Sequence, residues 1–275
     1  FSFMVRGANV YMLTAVKNQI KVCELSMKYN IMKEMLNRVT FCTNILFMIL
    51  NNASFIVQWL ILFRLKDDIG GFTMREVMLL WGLAAGSFGL ANVLFARVFS
   101  LSGLIINGKL DSYLVQPKNV LLSMMTSATN VSSIGDVLYG VIILCIFGKS
   151  IREYLLFFFF TVTGAAVLTA FALLMGSLSF WFVRADLFTD SLINIMLTFS
   201  TYPDGIFKGA VKFILYFAVP VGMAVYLPVH VITDLNVGGL FTVTGYTILI
   251  WAIAVPVFYR GLRRYSSGNL MEARM

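Results

Sequence analysis

Long uncharged runs separated by short polar breaks organise most of the chain. Thr40–Phe63 is 24 residues without a charge. At about 1.5 Å per helical residue, such a run crosses a hydrocarbon layer of ~30 Å. A charged, glycine-containing turn follows at Arg64–Gly71, and Val77–Ala96 is a second uncharged run. Residues 97–118 form a polar linker. Asn119–Gly148 is apolar apart from Asp136, and Tyr154–Val183 holds 30 residues without a charge. After Arg184, Asp186 and Asp190 comes a shorter run that ends at Pro203. Phe213–Thr233 is uncharged but carries Pro220 and Pro228. Proline lacks the donor for the helical bond and clashes with the preceding turn, so this stretch is predicted to be broken. Broken backbone at membrane depth must be covered by protein or line a cavity. The last run, Leu235–Tyr259, stops at Arg260-Gly261-Leu262-Arg263-Arg264.

The runs are continuous rather than alternating, which predicts helices and not a membrane β-barrel. The expected fold is an all-α integral membrane protein, a single transmembrane domain over 1–275. Six transmembrane helices are expected, at 40–63, 77–97, 130–148, 154–183, 187–203 and 236–259, with a broken or re-entrant element at 205–233. The reverse assignment of 187–203 and 205–233 gives the same parity. Residues 1–39 behave differently. Met12, Val16, Ile20, Cys23, Met27, Ile31 and Met35 share one helical face, and Lys17, Lys21, Glu24, Lys28, Lys33 and Glu34 occupy the others. This is the pattern of an amphipathic helix in the membrane interface, or of a helix that packs on a partner. No basic segment, apolar core and cleavage site stand in order to make a secretory signal.

Composition agrees with a membrane location. Hydrophobic residues make up 59% of the 275 residues and charged ones 12%, against roughly 25% charged in a soluble domain. The net charge of +8 is spread between apolar runs rather than gathered in a stripe, so nucleic acid is not an expected partner, whereas membrane lipids are. Placing both termini and 97–118 on one side puts fourteen basic residues there and seven on the other, which favours cytoplasmic termini. Cys23, Cys42 and Cys145 have no metal-ligand spacing and read as buried free thiols. The single histidine, His230, has only Asp234 nearby in sequence and reads as structural. The sequons at Asn52 and Asn130 lie in apolar runs, out of reach of glycosylation.

Few groups inside the spans can carry chemistry. Gly103 to Lys109 fits GxxxxGK, but Leu110 replaces the Mg²⁺-binding hydroxyl and no strand precedes it. The chain is therefore not expected to hydrolyse nucleotide itself, and no cofactor is expected in it; a membrane enzyme stays open on the residues alone, with no HExxH, GxSxG or paired carboxylates behind it. Asp136 is the one acid inside an apolar run and is expected near the cytoplasmic end of the third span, either as a hydrogen-bonded helix-end acid or as a functional group. Asn44, Asn51 and Gln58 recur every seven residues on one face of the first span. They should meet protein or a wet cavity, as interhelical glue or as the lining of a pathway. Gly82, Gly86 and Gly89 step by four and three, which lets another helix approach closely.

At the 97–118 linker the sequence becomes specific. Ile105, Gly108, Leu110, Asp111, Leu114 and Pro117 stand in the register of the I-x-x-G-x-L-D-x-x-L-x-x-P segment of a subgroup of bacterial ABC-2 type permeases, which this chain resembles. Tyr202-Pro203-Asp204-Gly205-Ile206-Phe207, followed by Pro220 and Tyr226-Leu227-Pro228, resembles a second stretch of that subgroup. The tail Gly261–Ser267 is similar to its Arg-Tyr-rich ending. The subgroup has another proline soon after Ile-Phe, and this chain has Lys208 there.

The resemblance implies one permease of an ATP-driven exporter in the cell membrane. It implies two permease subunits, identical or different, and two cytoplasmic ATPase subunits that bind the ATP and Mg²⁺. It further implies that residues 103–117 form a coupling helix on the ATPase, that Asp111 anchors it, and that 1–39 is the connecting helix. An amphipathic or apolar substrate (drug, peptide or lipid-like) would be moved by alternating access. A secondary transporter or channel without an ATPase is the alternative.

Overall fold

The computed structural model describes residues 2–182, 185–234 and 236–266, excepting the side chains of residues 2–15. Arg184, Val183, Leu235 and Ser267 onward lie outside the described residues, as do the side chains of Arg6 and Met12. Among the described residues the chain is helical, with only an isolated bridge between Ile69 and Phe72. The helices are α1 Ser2–Glu34, α2 Arg38–Leu65, α3 Met74–Phe95, α4 Leu101–Ile106, α5 Asp111–Leu114, α6 Val120–Met125, α7 Ser133–Phe147, α8 Ile151–Ser177, α9 Ala185–Phe199, α10 Gly209–Phe217, α11 Leu227–Asp234 and α12 Val237–Leu262.

Four of these segments are long and apolar enough to cross a membrane: Arg38–Leu65, Met74–Ile106, Ile151–Phe180 and Val237–Leu262. The pair Gly209–Phe217 and Gly222–Asp234, bent by 74°, makes a fifth if it is one span. Helix length and apolarity among the described residues thus do not confirm the expected six. Helices α7 and α9 have 15 residues each, which at about 1.5 Å per residue fall short of a ~30 Å layer. The predicted break at 205–233 is present. Pro220 lies between α10 and the π-helical turn Gly222–Tyr226, and a side chain at Gly222 would run into the Tyr216 ring.

Local chemistry sets the helix starts. Asn37 accepts from Thr40 N, and Ser150 accepts from Glu153 N. Thr73 and Glu76 form a reciprocal capping box at α3. The α2–α3 turn uses Gly70 and Gly71, with φ of 62° and 78°. Helix α3 is the centre of the bundle. It is buried on nearly every side from Val77 to Asn92 and packs most extensively on α7 and then α8. Gly82 lies against Ile143, Gly86 against Gly140 and Thr161, and Gly89 against Asp136 Cβ and the Ser133 carbonyl. Helix α2 is largely exposed on the single chain, with 11% of its most apolar window buried.

Contacts sort the connections between two ends. At one end Arg75 pairs with Glu153 at 2.5 Å and donates to the Phe147 carbonyl, and Gly205 packs on Gly70. At the other end Arg97 donates to Ser127, Ser102 meets Ser179, and Asn119 joins Gln19 to Tyr259.

The rest of the chain does not cover the apolar face of the first helix. Val16 and Ile20 are exposed, and Cys23, Met27 and Ile31 are only half-buried. Polar groups make the inward contacts: Ser26 and Asn30 both donate to the Thr126 carbonyl. The thiols also differ from expectation. Cys42 and Cys145 are exposed, on faces turned away from the rest of the chain.

Candidate functional site

The segment 101–119 is not one helix over 103–117. Helix α4 ends at Ile106, Gly108 takes a left-handed φ of 67°, and α5 begins at Asp111. A left-handed residue cannot continue an α-helix, which is why the predicted single helix divides there. Pro117 lies beyond α5, after an exposed Val115 and Gln116. The apolar positions also divide. Ile105 and Leu110 are fully buried within this chain, so they brace the turn and are not free to enter a partner's groove. Leu114 and Val115 are the exposed apolar pair, at 41% and 83%.

The turn is tied to its own chain at both ends. The Tyr265 hydroxyl faces the Asp111 carboxylate and the Leu110–Asp111 backbone without a well-formed hydrogen bond. Burial first, and then the Asp111 carboxylate that the hydroxyl faces, push this phenol above its ordinary value. Asn119 caps α6, donates to the Tyr259 hydroxyl and takes the Gln19 side chain on its backbone N–H. Between α1 and 116–122 lies a groove of about 750 Å³, lined by Val16, Gln19, Ile20, Pro117 and Leu122. The GxxxxGK run cannot cradle phosphate. Its backbone N–H groups at Asn107, Gly108 and Lys109 bond to Gly103, Ile105 and Leu104 carbonyls.

The polar face of α2 turns out to be split. Asn44, Asn51 and Gln58 are exposed on the single chain, and Asn51 also borders the cavity at Asp136. The inward amide is Asn52, whose Nδ2 donates to Asp136 Oδ1 at 2.6 Å and to the Met48 carbonyl at 3.1 Å. A seven-residue count finds the stripe but not its direction. Asn52 is one position, about 100°, further round the helix.

Asp136 is in the first turn of α7, yet it does not sit at a bundle end. Its partner Asn52 is midway along the 28-residue α2, roughly 20 Å from either terminus. Asp136 is 4% exposed. With Asn51, Asn52, Phe55, Trp81 and Ser200 it lines a cavity of about 310 Å³.

A third cluster was missed. Asp204, 4% exposed, receives Tyr216 OH at 3.0 Å and Lys212 Nζ at 2.8 Å on Oδ2, and His230 Nε2 lies 3.4 Å from Oδ1. Burial alone would raise this carboxyl. The bonds from His230, Lys212 and Tyr216 and the Lys212 charge outweigh it and hold it at about 2. The cluster fastens α10 and α11 to the turn after α9. His230 is thus paired, with an acid 26 residues away rather than with Asp234. The Tyr-Pro-Asp-Gly stretch was visible in the sequence, but nothing there pointed Asp204 at its partners.

Helices of this length, a glycine-mediated centre and a bent apolar pair define a multi-pass helical membrane protein. The family model described as ABC-2 family transporter protein matches residues 48–268, and the chain belongs to this family of ABC permeases. Permeases of this kind are generally non-enzymatic membrane components that work with an ATP-binding-cassette ATPase. Comparison with curated proteins and comparison with solved structures each give no match.

Proposed function

We propose that this chain is a permease subunit of an ATP-driven exporter that moves an amphipathic or apolar substrate by alternating access. A separate cytoplasmic ATPase docks at the 107–117 turn, and a second permease, identical or related, pairs with it across the exposed face of α2. Six passages place both termini in the cytoplasm of a bacterial cell membrane, with α7 and α9 completed by their flanking segments.

The observation that carries this reading is the family match joined to the build of the turn. Residues 107–117 project at the same end of the bundle as α1 and the end of α12, braced from beneath by Ile105 and Leu110. Leu114 and Val115 stay exposed as the contact, with Asp111 beside them. Asn44, Asn51 and Gln58, exposed on the single chain, line the pathway between the two permeases. ATP shifts the pair only as far as it favours one state over the other.

Cysteine accessibility in intact cells tests the arrangement. A cysteine at Ser112 should react with an impermeant thiol reagent only after the membrane is opened, and one at Lys66 should react from outside, both in a Cys42→Ser, Cys145→Ser background. Labelling of position 112 in intact cells contradicts the proposal.

A further inference from the structure

The cavity between α2, α3, α7 and the end of α9 holds a carboxylate that nothing among the described residues neutralises. Asp136 is the only charged residue in its lining. No ion pair among the described residues involves it. Asn52 satisfies Oδ1, whereas Oδ2 has no hydrogen-bond partner among the described residues. Ser133, one turn away on α7, lies near the carboxylate, but its hydroxyl lacks hydrogen-bond geometry. The Trp81 indole N–H, on the same cavity, is likewise buried and unpartnered. A carboxylate at such depth is costly unless it takes up a proton or a positive group reaches it, and at neutral pH a cation beside Oδ2 favours the charged form.

The rest of the lining says which positive group fits. Phe55 stacks on Trp81 with ring centroids 4.6 Å apart, and Phe88 and Met48 add apolar wall. One carboxylate and one amide are far short of the ~6 oxygens that hold a hard metal ion. Aromatic faces beside an acid suit an organic ammonium, whose charge is attracted to both. A volume of about 310 Å³ stands at the lower end of the ~300–1,000 Å³ range of ligand pockets, which fits a body of one or two rings. Asn52 spends its amide on Asp136 and Met48, so it positions the acid and does not itself meet the ligand.

We propose that this cavity binds an amphipathic organic ammonium compound, with its charge on Asp136 Oδ2 and its apolar body against Phe55 and Trp81. The proposal deepens the transport reading by naming the substrate class.

Binding is measured on the full chain purified in detergent without any ATPase, so that a failure here is separate from a failure of ATP-driven transport. The probes are 1-naphthylmethylammonium and its neutral counterpart 1-naphthylmethanol, followed by equilibrium dialysis at neutral pH. The ammonium should bind roughly tenfold or more tightly than the alcohol. Asp136→Asn keeps the shape and an acceptor for Asn52, and it should abolish that preference while leaving the alcohol's affinity unchanged. Phe55→Ala should weaken both probes and keep the preference, which locates the site should the Asp136 variant fail to fold. Equal affinity of the two probes for the unaltered chain overturns the proposal. So does a preference that survives Asp136→Asn, or ammonium binding untouched by Phe55→Ala.

Discussion

Asp204→Asn isolates the charge that fastens the bent helix pair, because the amide keeps the shape of the carboxylate. The acid is depressed from 3.8 to about 2, which corresponds to roughly 2 kcal/mol of preference for the charged form in the folded chain. Lys212 is 45% exposed, so its share falls to about 0.5 kcal/mol after solvent screening. The bonds from Tyr216 and His230 to the acid, less the opposing cost of burying it, supply the rest, about 1.5 kcal/mol. The variant should therefore lose about 2 kcal/mol at pH 7. The pH dependence follows from the sign. A carboxyl depressed on folding contributes stability above its unfolded value, near 4, and the contribution disappears as pH falls through about 2. Thermal unfolding in detergent micelles at pH 7, 4 and 2.5 should show a gap between the two proteins that narrows only below pH 4. A variant as stable as the unaltered chain at pH 7, or a gap that fails to narrow between pH 4 and 2.5, would overturn this reading.

Four further substitutions probe the packing by the same unfolding assay. Asn52→Leu should destabilise by about 1–3 kcal/mol, because it leaves both oxygens of buried Asp136 without a donor, whereas Asn51→Leu on the exposed face should stay within about 0.5 kcal/mol. Gly89→Ala should cost about 1–3 kcal/mol, since a Cβ there would stand 2.8 Å from the Ser133 carbonyl oxygen and 2.9 Å from Val137 N, and α7 would have to shift. Gly205→Ala should be at least as damaging, since its Cβ would overlap the Gly70 carbonyl oxygen and prise apart the two turns at that end.

What the sequence made legible was whatever depends on local pattern. The ends of α2 fall within two residues of the uncharged run at 40–63, and Pro220 marks the break between α10 and α11. Direction was not legible. Asn44, Asn51 and Gln58 share a face by spacing, but which face turns inward is decided by where α7 packs, and that selected Asn52. Asp136 was visible as an acid in an apolar run, but its depth was not. Helix α7 begins opposite the middle of α2, and hydropathy carries no information on where a short helix starts relative to its neighbours. The residues of the 105–117 segment were legible, but its division at Gly108 depends on a left-handed backbone conformation that the residue pattern does not record. The Asp204 cluster spans three elements, and contacts across elements leave no periodic trace.

ATP-driven transport as proposed requires an ATPase to act through the 107–117 turn. ATP-driven uptake into proteoliposomes, with the permease and its ATPase reconstituted together, tests it most directly when hydrolysis and transport are read side by side. Leu114→Asp and Asp111→Ala should each leave a folded permease in the membrane. Leu114→Asp places a charge on the exposed contact and should abolish transport. Asp111→Ala should weaken ATPase binding or uncouple hydrolysis from transport, consistent with a loss of about 2–5 kcal/mol from a partly desolvated charge contact. Unaltered transport and hydrolysis in both variants would contradict the account.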